Sequence, residues 1–129
     1  MTKLNIYLAE DDADDIFFFK DALNDLMIDV NLVVAENGIL LINYLEINDT
    51  LPDMIFLDLN MPKKGGIECL KEIKTKDVWK KIKTIIFTTS SNEVHMKMCY
   101  ELGADLFITK PFDYKVYKNV IQKCMDLVS

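Results

Sequence analysis

Carboxylates, a lysine and a hydroxyl stand at the ends of apolar runs in this chain. Met54-Ile55-Phe56-Leu57 has no polar break and stops at Asp58, with Asn60 two residues on and Pro62 ending whatever could have continued. A second acidic group, Glu10-Asp11-Asp12, closes the run Leu4–Ala9, and two further runs end in Thr88 and in Lys110. If those runs are neighbouring strands, all of these side chains meet at one edge. Carboxylates that close together repel and raise one another's pKa, so such a cluster needs a cation. Oxygen donors with no His or Cys nearby favour Mg²⁺, which binds through one or two carboxylates and leaves room for phosphate oxygens. The Lys110 ammonium supplies a point charge for a further anionic group. Together they are the equipment for phosphoryl transfer, with Asp58 as nucleophile. Taken singly, each acidic residue reads equally well as a helix cap and Lys110 as a solvated lysine; it is their convergence that tells against chance.

The elements that must position these groups follow from periodicity. Leu4–Ala9 reads as a first strand, followed by a helix from about Ala13 to Leu26 with Asp12 as N-cap, Asp14 and Asp15 at the positive end of its dipole, and Ile16, Phe19, Leu23 and Leu26 facing the core. Phe17 and Phe18 flank that stripe, leaving at least one partly exposed. Val30–Ala35 is a second strand, Ile39 to Leu45 a second helix, and Met54–Leu57 a third strand buried on both faces. A third helix carries Ile67, Leu70 and Ile73; Trp79 packs as a lid in the charged connection after it. Lys83–Thr88 is a fourth strand, about Asn92–Leu102 a fourth helix closed by Gly103, and Asp105–Thr109 a fifth strand. Asp113 caps a last helix running to about Leu127, with Tyr117, Ile121 and Cys124 inward. Five strand–helix alternations predict an α/β fold, a flavodoxin-like (βα)5 doubly wound parallel sheet of strand order 2-1-3-4-5, in which the switch point lies between strands 1 and 3.

Size and charge narrow the function. With 129 residues, 50% hydrophobic and 28% charged, the chain reads as one domain with a proper core. A net charge of −6 argues against nucleic acid as a direct partner, since duplex binding needs a basic face. Cys69, Cys99 and Cys124 are an odd number without metal spacing, as expected of buried free thiols in a reducing cytoplasm. No apolar stretch approaches a membrane span and no signal peptide precedes Leu8.

Leu8-Ala9-Glu10-Asp11-Asp12, Phe56-Leu57-Asp58-Leu59-Asn60-Met61-Pro62 with Gly66, the Thr88-Thr89 strand end, Gly103-Ala104 and Lys110-Pro111-Phe112, in that order and spacing, resemble the receiver domain of two-component response regulators. The resemblance covers nearly the whole chain and extends to the stand-alone phytochrome-partner regulators. It implies Asp58 as phosphoacceptor and Mg²⁺ held by Glu10, Asp11, Asp58 and the Asn60 backbone carbonyl. It implies Lys110 as the phosphate-contacting lysine, Thr88 as the switch hydroxyl, Phe107 as the aromatic switch residue, and a cis Lys110–Pro111 bond. Two positions depart from the commoner pattern. Glu10 stands where many receivers have Asp, which points to metal contact through water, and Phe107 replaces Tyr, so its inward state rests on apolar burial alone.

The chain ends right after the fifth helix, so a single receiver domain over 1–129 with no effector domain is expected. Such a protein is a phosphoacceptor signalling protein rather than an enzyme. A sensor histidine kinase, phytochrome-like in this subgroup, would supply the phosphoryl group; a downstream protein or phosphotransfer partner would read it. The helical phase turns Val116 and Val120 outward and leaves Met96 and Tyr100 near the surface with Phe107 between them, an edge resembling the surface through which receivers dimerise. A pseudo-receiver that works without phosphorylation is the nearest rival. An Mg-dependent aspartyl phosphatase wants a second Asp where this chain has Asn60, and a flavodoxin phosphate loop would be repelled by Glu10–Asp12.

Overall fold

In a computed structural model describing residues 3–128, five parallel strands form one sheet in the order β2-β1-β3-β4-β5, as the alternation predicts. The strands are β1 (Leu4–Ala9), β2 (Val30–Ala35), β3 (Met54–Leu57), β4 (Lys83–Thr88) and β5 (Leu106–Thr109). The helices are α1 (Ala13–Asp25), α2 (Gly38–Ile47), α3 (Gly66–Thr75), α4 (Glu93–Glu101) and α5 (Tyr114–Cys124), with a 3₁₀ turn at Met125–Leu127.

Strand alternation divides the core in two. Ile6, Leu8, Met54, Phe56, Ile85 and Phe87 face a cluster that includes Phe19, Ala22 and Leu23 of α1 and Tyr117, Ile121 and Cys124 of α5. Tyr7, Ala9, Ile55, Leu57 and Ile86 face the other, with Leu41 and Leu45 of α2, Leu70 and Ile73 of α3 and Cys99 of α4. The apolar run before Asp58 is continuous because every one of its residues meets a helix layer. Each fully buried Leu, Ile or Phe contributes about 1.5–3 kcal/mol, so this strand is among the most firmly fixed parts of the chain. Trp79 is buried in the second of these clusters, as its lid role predicts, with the Lys76 ammonium 4.0 Å from its ring centroid.

Local chemistry fixes the element ends. Asp12, Asn37, Asn92 and Asp113 are N-caps whose side chains accept from backbone N–H groups one turn in. Gly103 takes φ 106°, which closes α4 as a residue with a Cβ would not. Asp105 lies just outside β5: Thr84 N–H donates to its Oδ2 at 2.8 Å while Asp105 N–H donates to Thr84 O at 2.9 Å. In α1, Ala22 takes a buried place and Ile16 and Leu26 are only half-buried; Phe17 and Phe18 are both exposed, stacked edge to face at 5.9 Å. In α3 it is Cys69, with Leu70 and Ile73, that is fully buried, while Ile67 is half-buried.

Candidate functional site

Register brings the polar strand ends together. Ala9 pairs with Leu57, so β1 and β3 finish level, and Asp58 N–H donates to Ala9 O at 3.0 Å. Glu10 and Asp58 therefore leave the sheet side by side. Thr88 pairs with Thr109, and Lys110 N–H donates to Thr88 O at 2.7 Å, which delivers Lys110 to the same edge from the far side. By alternation Glu10, Asp58 and Lys110 continue the face covered by α1 and α5, whereas Thr88 continues the face of Ile86 and Phe107.

The Lys110 ammonium is the centre of the arrangement. It donates to Glu10 Oε1, to Asp15 Oδ2 at 2.8 Å and to Asp58 Oδ2 at 3.4 Å. Beneath it an edge-to-face row of Phe19, Phe56, Phe87 and Tyr117 forms an aromatic floor, with the ammonium 5.9 Å over the Phe87 ring. Burial by itself would lower the lysine's pKa, but hydrogen bonds to Asp15 and Glu10 and the charge of Asp58 more than reverse that and hold it above the ordinary value. Glu10 is 2% exposed, and burial pushes its carboxyl up to about 7 against the pull of Lys110. Its second oxygen accepts from Asp12 N–H at 3.2 Å. Asp58 Oδ1 receives Asn60 N–H at 3.4 Å, a long bond.

Glu10, Asp11 and Asp58 each offer a carboxylate oxygen, all within 4.8 Å of one another, with Asp11 exposed. Three carboxylates pair with one ammonium, a fourth, Asp11, stands beside two of them, and the donor set is oxygen only. That excess of negative charge and those hard donors fit a small divalent cation. Gly66 closes the loop over the site: a Cβ there would strike the Asp58 carbonyl and stand 2.8 Å from Leu59 Cα, and its N–H donates to Leu59 O at 3.0 Å. Only glycine lets α3 begin this close to Asp58.

Glu10, Asp11, Asp58 and Lys110 thus converge as expected, and Asn60 sits beside them. Thr88 lies fully buried at the same edge, its hydroxyl accepting Ser90 N–H at 3.3 Å. Phe107 corrects one expectation. It is buried, not part of a surface edge, because its pairing with Ile86 turns it under α4; the inward state is the one seen, and its N–H donates to Tyr100 Oη at 2.9 Å. Of the other edge residues, Tyr100 and Val116 are exposed, whereas Met96 and Val120 are half-buried against the two cores. The Lys110–Pro111 bond is trans, against the cis bond the resemblance implies; no described peptide bond is cis. Trans is the ordinary lower state of an X–Pro bond, and the ammonium reaches all three carboxylates from it.

Asp15 is the residue that sequence reasoning missed, having been assigned only to the helix dipole. With Asp12 as N-cap it is the third helical residue, where a longer acidic side chain would reach back to the cap's own N–H. Glu10 has taken that N–H, which leaves the Asp15 carboxylate for Lys110. The spacing from Asp12 was the available signal.

The profile of the response regulator receiver domain family matches residues 6–122. The response regulator Rcp1 of Synechocystis is 34% identical over 122 residues, covering 91% of this chain and 83% of that protein. A crystal structure described as the phosphorylated cyanobacterial phytochrome response regulator RcpA superposes with a TM-score of 0.90 at 30% identity, covering 98% of this chain and 94% of the other. A structure described as the Mn²⁺-bound form of Rcp1 gives a TM-score of 0.86 at 31% identity, covering 95% and 92%.

Proposed function

This chain belongs to the response regulator receiver family, and from that premise we propose that Asp58 is the residue that accepts the phosphoryl group of a sensor histidine kinase. The observation that carries the reading is a buried lysine ammonium held among the carboxylates of Asp58, Glu10 and Asp15, with Asp11 beside them. A carboxylate oxygen of Asp58 attacks phosphorus in line; the P–N bond to the donor imidazole breaks and its electron pair returns to the ring nitrogen. An acyl phosphate forms on Asp58, and Lys110 donates to the phosphoryl oxygens as charge gathers on them. Glu10, Asp11, Asp58 and the Asn60 carbonyl would hold Mg²⁺, which would neutralise phosphoryl charge when bound. Receivers are signalling proteins, and the cycle ends when water hydrolyses the acyl phosphate, releasing inorganic phosphate and restoring the Asp58 carboxylate. Incubation with acetyl phosphate or phosphoramidate and Mg²⁺ is expected to add one phosphoryl group by intact mass. No gain would make the chain a pseudo-receiver.

Metal linkage gives a second expected result. Without a cation Glu10, Asp11 and Asp58 repel, so Mg²⁺ raises the melting temperature, with about 2.7 kcal/mol of stabilisation at a hundredfold excess over Kd. Asp11→Asn relieves the repulsion, giving metal-free protein at least as stable as wild type whose melting curve barely responds to Mg²⁺. An unresponsive wild type would remove the metal site.

Output is proposed to run through protein contacts of the receiver unit itself. Phosphoryl-Asp58 adds roughly −1.5 to −2 charge, drawing the Thr88 hydroxyl toward it and biasing the packing of Phe107 beneath α4. The partners are a phytochrome-like kinase, RcpA being itself a phytochrome response regulator, and a downstream protein or a second copy meeting the α4–β5–α5 face at Tyr100 and Val116. Sedimentation with and without beryllofluoride tests the second copy. Self-association on activation, lost in Val116→Lys, is expected; four identical monomeric samples would leave only a heterologous partner. No helix among the described residues is long and apolar enough to cross a membrane.

A further inference from the structure

Lys110 has three ammonium protons, and all three are engaged before any phosphoryl group arrives: one each by Glu10, Asp15 and Asp58. To donate to a phosphoryl oxygen the ammonium must release a partner, and the surroundings decide which. Glu10 is only 3% exposed at its side chain, and letting go would leave a buried charge unpaired, a costly outcome. Asp58 is the reacting group itself. Asp15 differs from both. Its side chain is 32% exposed, and it lines a cavity of about 200 Å³ with Phe18, Pro111, Tyr114 and Tyr117, so water can take over its hydrogen bonds when the lysine leaves. Its bond to Lys110 at 2.8 Å is also shorter than the 3.4 Å to Asp58, so it draws the ammonium toward α1 and away from the nucleophile.

We propose that Asp15 is a latch on Lys110: it holds the ammonium toward α1 in the resting protein and competes with the phosphoryl group for it. This rests on the reading of Asp58 as phosphoacceptor and adds a positioning residue to that site. Asp15 touches neither the phosphoryl group nor the acidic trio that would bind metal; it acts through the lysine. The α1 first turn is thereby coupled to the state of Asp58, because phosphorylation frees a carboxylate on that turn into the adjoining cavity.

Asp15→Asn keeps the shape and removes the charge, and Asp14→Asn removes the same charge from the same helical turn without touching Lys110. Beryllofluoride affinity in Mg²⁺ is expected to rise on the order of tenfold in Asp15→Asn, as loss of one charge-assisted hydrogen bond competing for the lysine implies, and to stay at wild type in Asp14→Asn. In chelator-treated protein the Lys110 side-chain NMR resonance, which reads the ammonium's partners directly, moves in Asp15→Asn and not in Asp14→Asn. Asp15→Ser serves as a second variant should the first fold poorly. Unchanged or weaker beryllofluoride binding in folded Asp15→Asn overturns the latch, as does an equal gain in both charge variants, which would be a simple field effect. A wild type that takes up no beryllofluoride would overturn the phosphoacceptor reading, and the latch with it.

Discussion

Asp58→Asn is expected to take up no phosphoryl group from acetyl phosphate under conditions that label wild type to completion. The loss follows from chemistry rather than from disruption. The amide has no anionic oxygen to attack phosphorus, yet its one carbonyl oxygen can still accept the Lys110 ammonium that Asp58 Oδ2 receives now, at the cost of the long Asn60 N–H bond to Oδ1. Removing one negative charge from a site where Glu10, Asp11, Asp15 and Asp58 crowd around one ammonium also relieves repulsion, so the variant should melt no lower than wild type without metal. The result therefore separates the nucleophile from its scaffold: intact melting with no mass gain places the reaction at Asp58. Glu10 is a neighbouring carboxylate, but it is buried, bonded through both oxygens and its carboxyl is pushed up to about 7, which leaves it a poorer nucleophile at neutral pH. Continued stoichiometric labelling of Asp58→Asn would move the site elsewhere and undo the proposed chemistry.

The polar edge was legible in the sequence because apolar runs that end in charge are both strand and candidate site at once. Met54–Leu57 had to be buried on two faces, so Asp58 had to be the first residue out, and the same logic placed Glu10, Thr88 and Lys110. What failed to read through were properties set by helix phase and by competition for donors. Phe107 was placed on a surface because it lies on β5 between the outward residues of α4 and α5, but alternation from its pairing with Ile86 sends the ring under α4. Val120 and Met96 sit at the margin of their helices' buried stripes, where a small rotation decides between core and surface, and both fell half inside. Asp15 was missed because its partner lies 95 residues away, and nothing local says that Glu10 will occupy the cap N–H it would otherwise reach. The peptide geometry at Pro111 depended on tertiary context, and a pattern borrowed from relatives did not carry over.

Lys110→Ala is expected to destabilise the metal-free protein strongly at pH 8 and much less at pH 5. Deleting one partner of a buried ion pair costs about 3–5 kcal/mol, because the remaining charge is left without compensation. Here Glu10 and Asp58 would both be left, each less than a tenth exposed. The pH dependence comes from Glu10. Its carboxyl is raised from 4.5 to about 7, first by burial, while Lys110 opposes that rise. A carboxyl raised on folding binds protons more tightly in the native state, so its contribution favours the fold below the unfolded value and is lost as pH climbs through the folded one. For wild type without metal this amounts to roughly 3 kcal/mol between about pH 4.5 and 7. Removing Lys110 takes away the group that lowers Glu10, so the carboxyl rises further and the loss extends to higher pH. Lys110 itself adds no slope in this window: its pKa is raised above the lysine value, so its stabilising charge is fully present at every pH below about 10. The difference between variant and wild type should therefore widen from pH 5 to pH 8. Urea unfolding in chelator measures it, and Glu10→Gln in the Lys110→Ala background should flatten the added slope. Millimolar Mg²⁺ should recover part of the loss at pH 8, since a divalent cation neutralises the same carboxylates. A variant as stable as wild type at pH 8, or equally destabilised at both pH values, would show that Lys110 does not hold this cluster together.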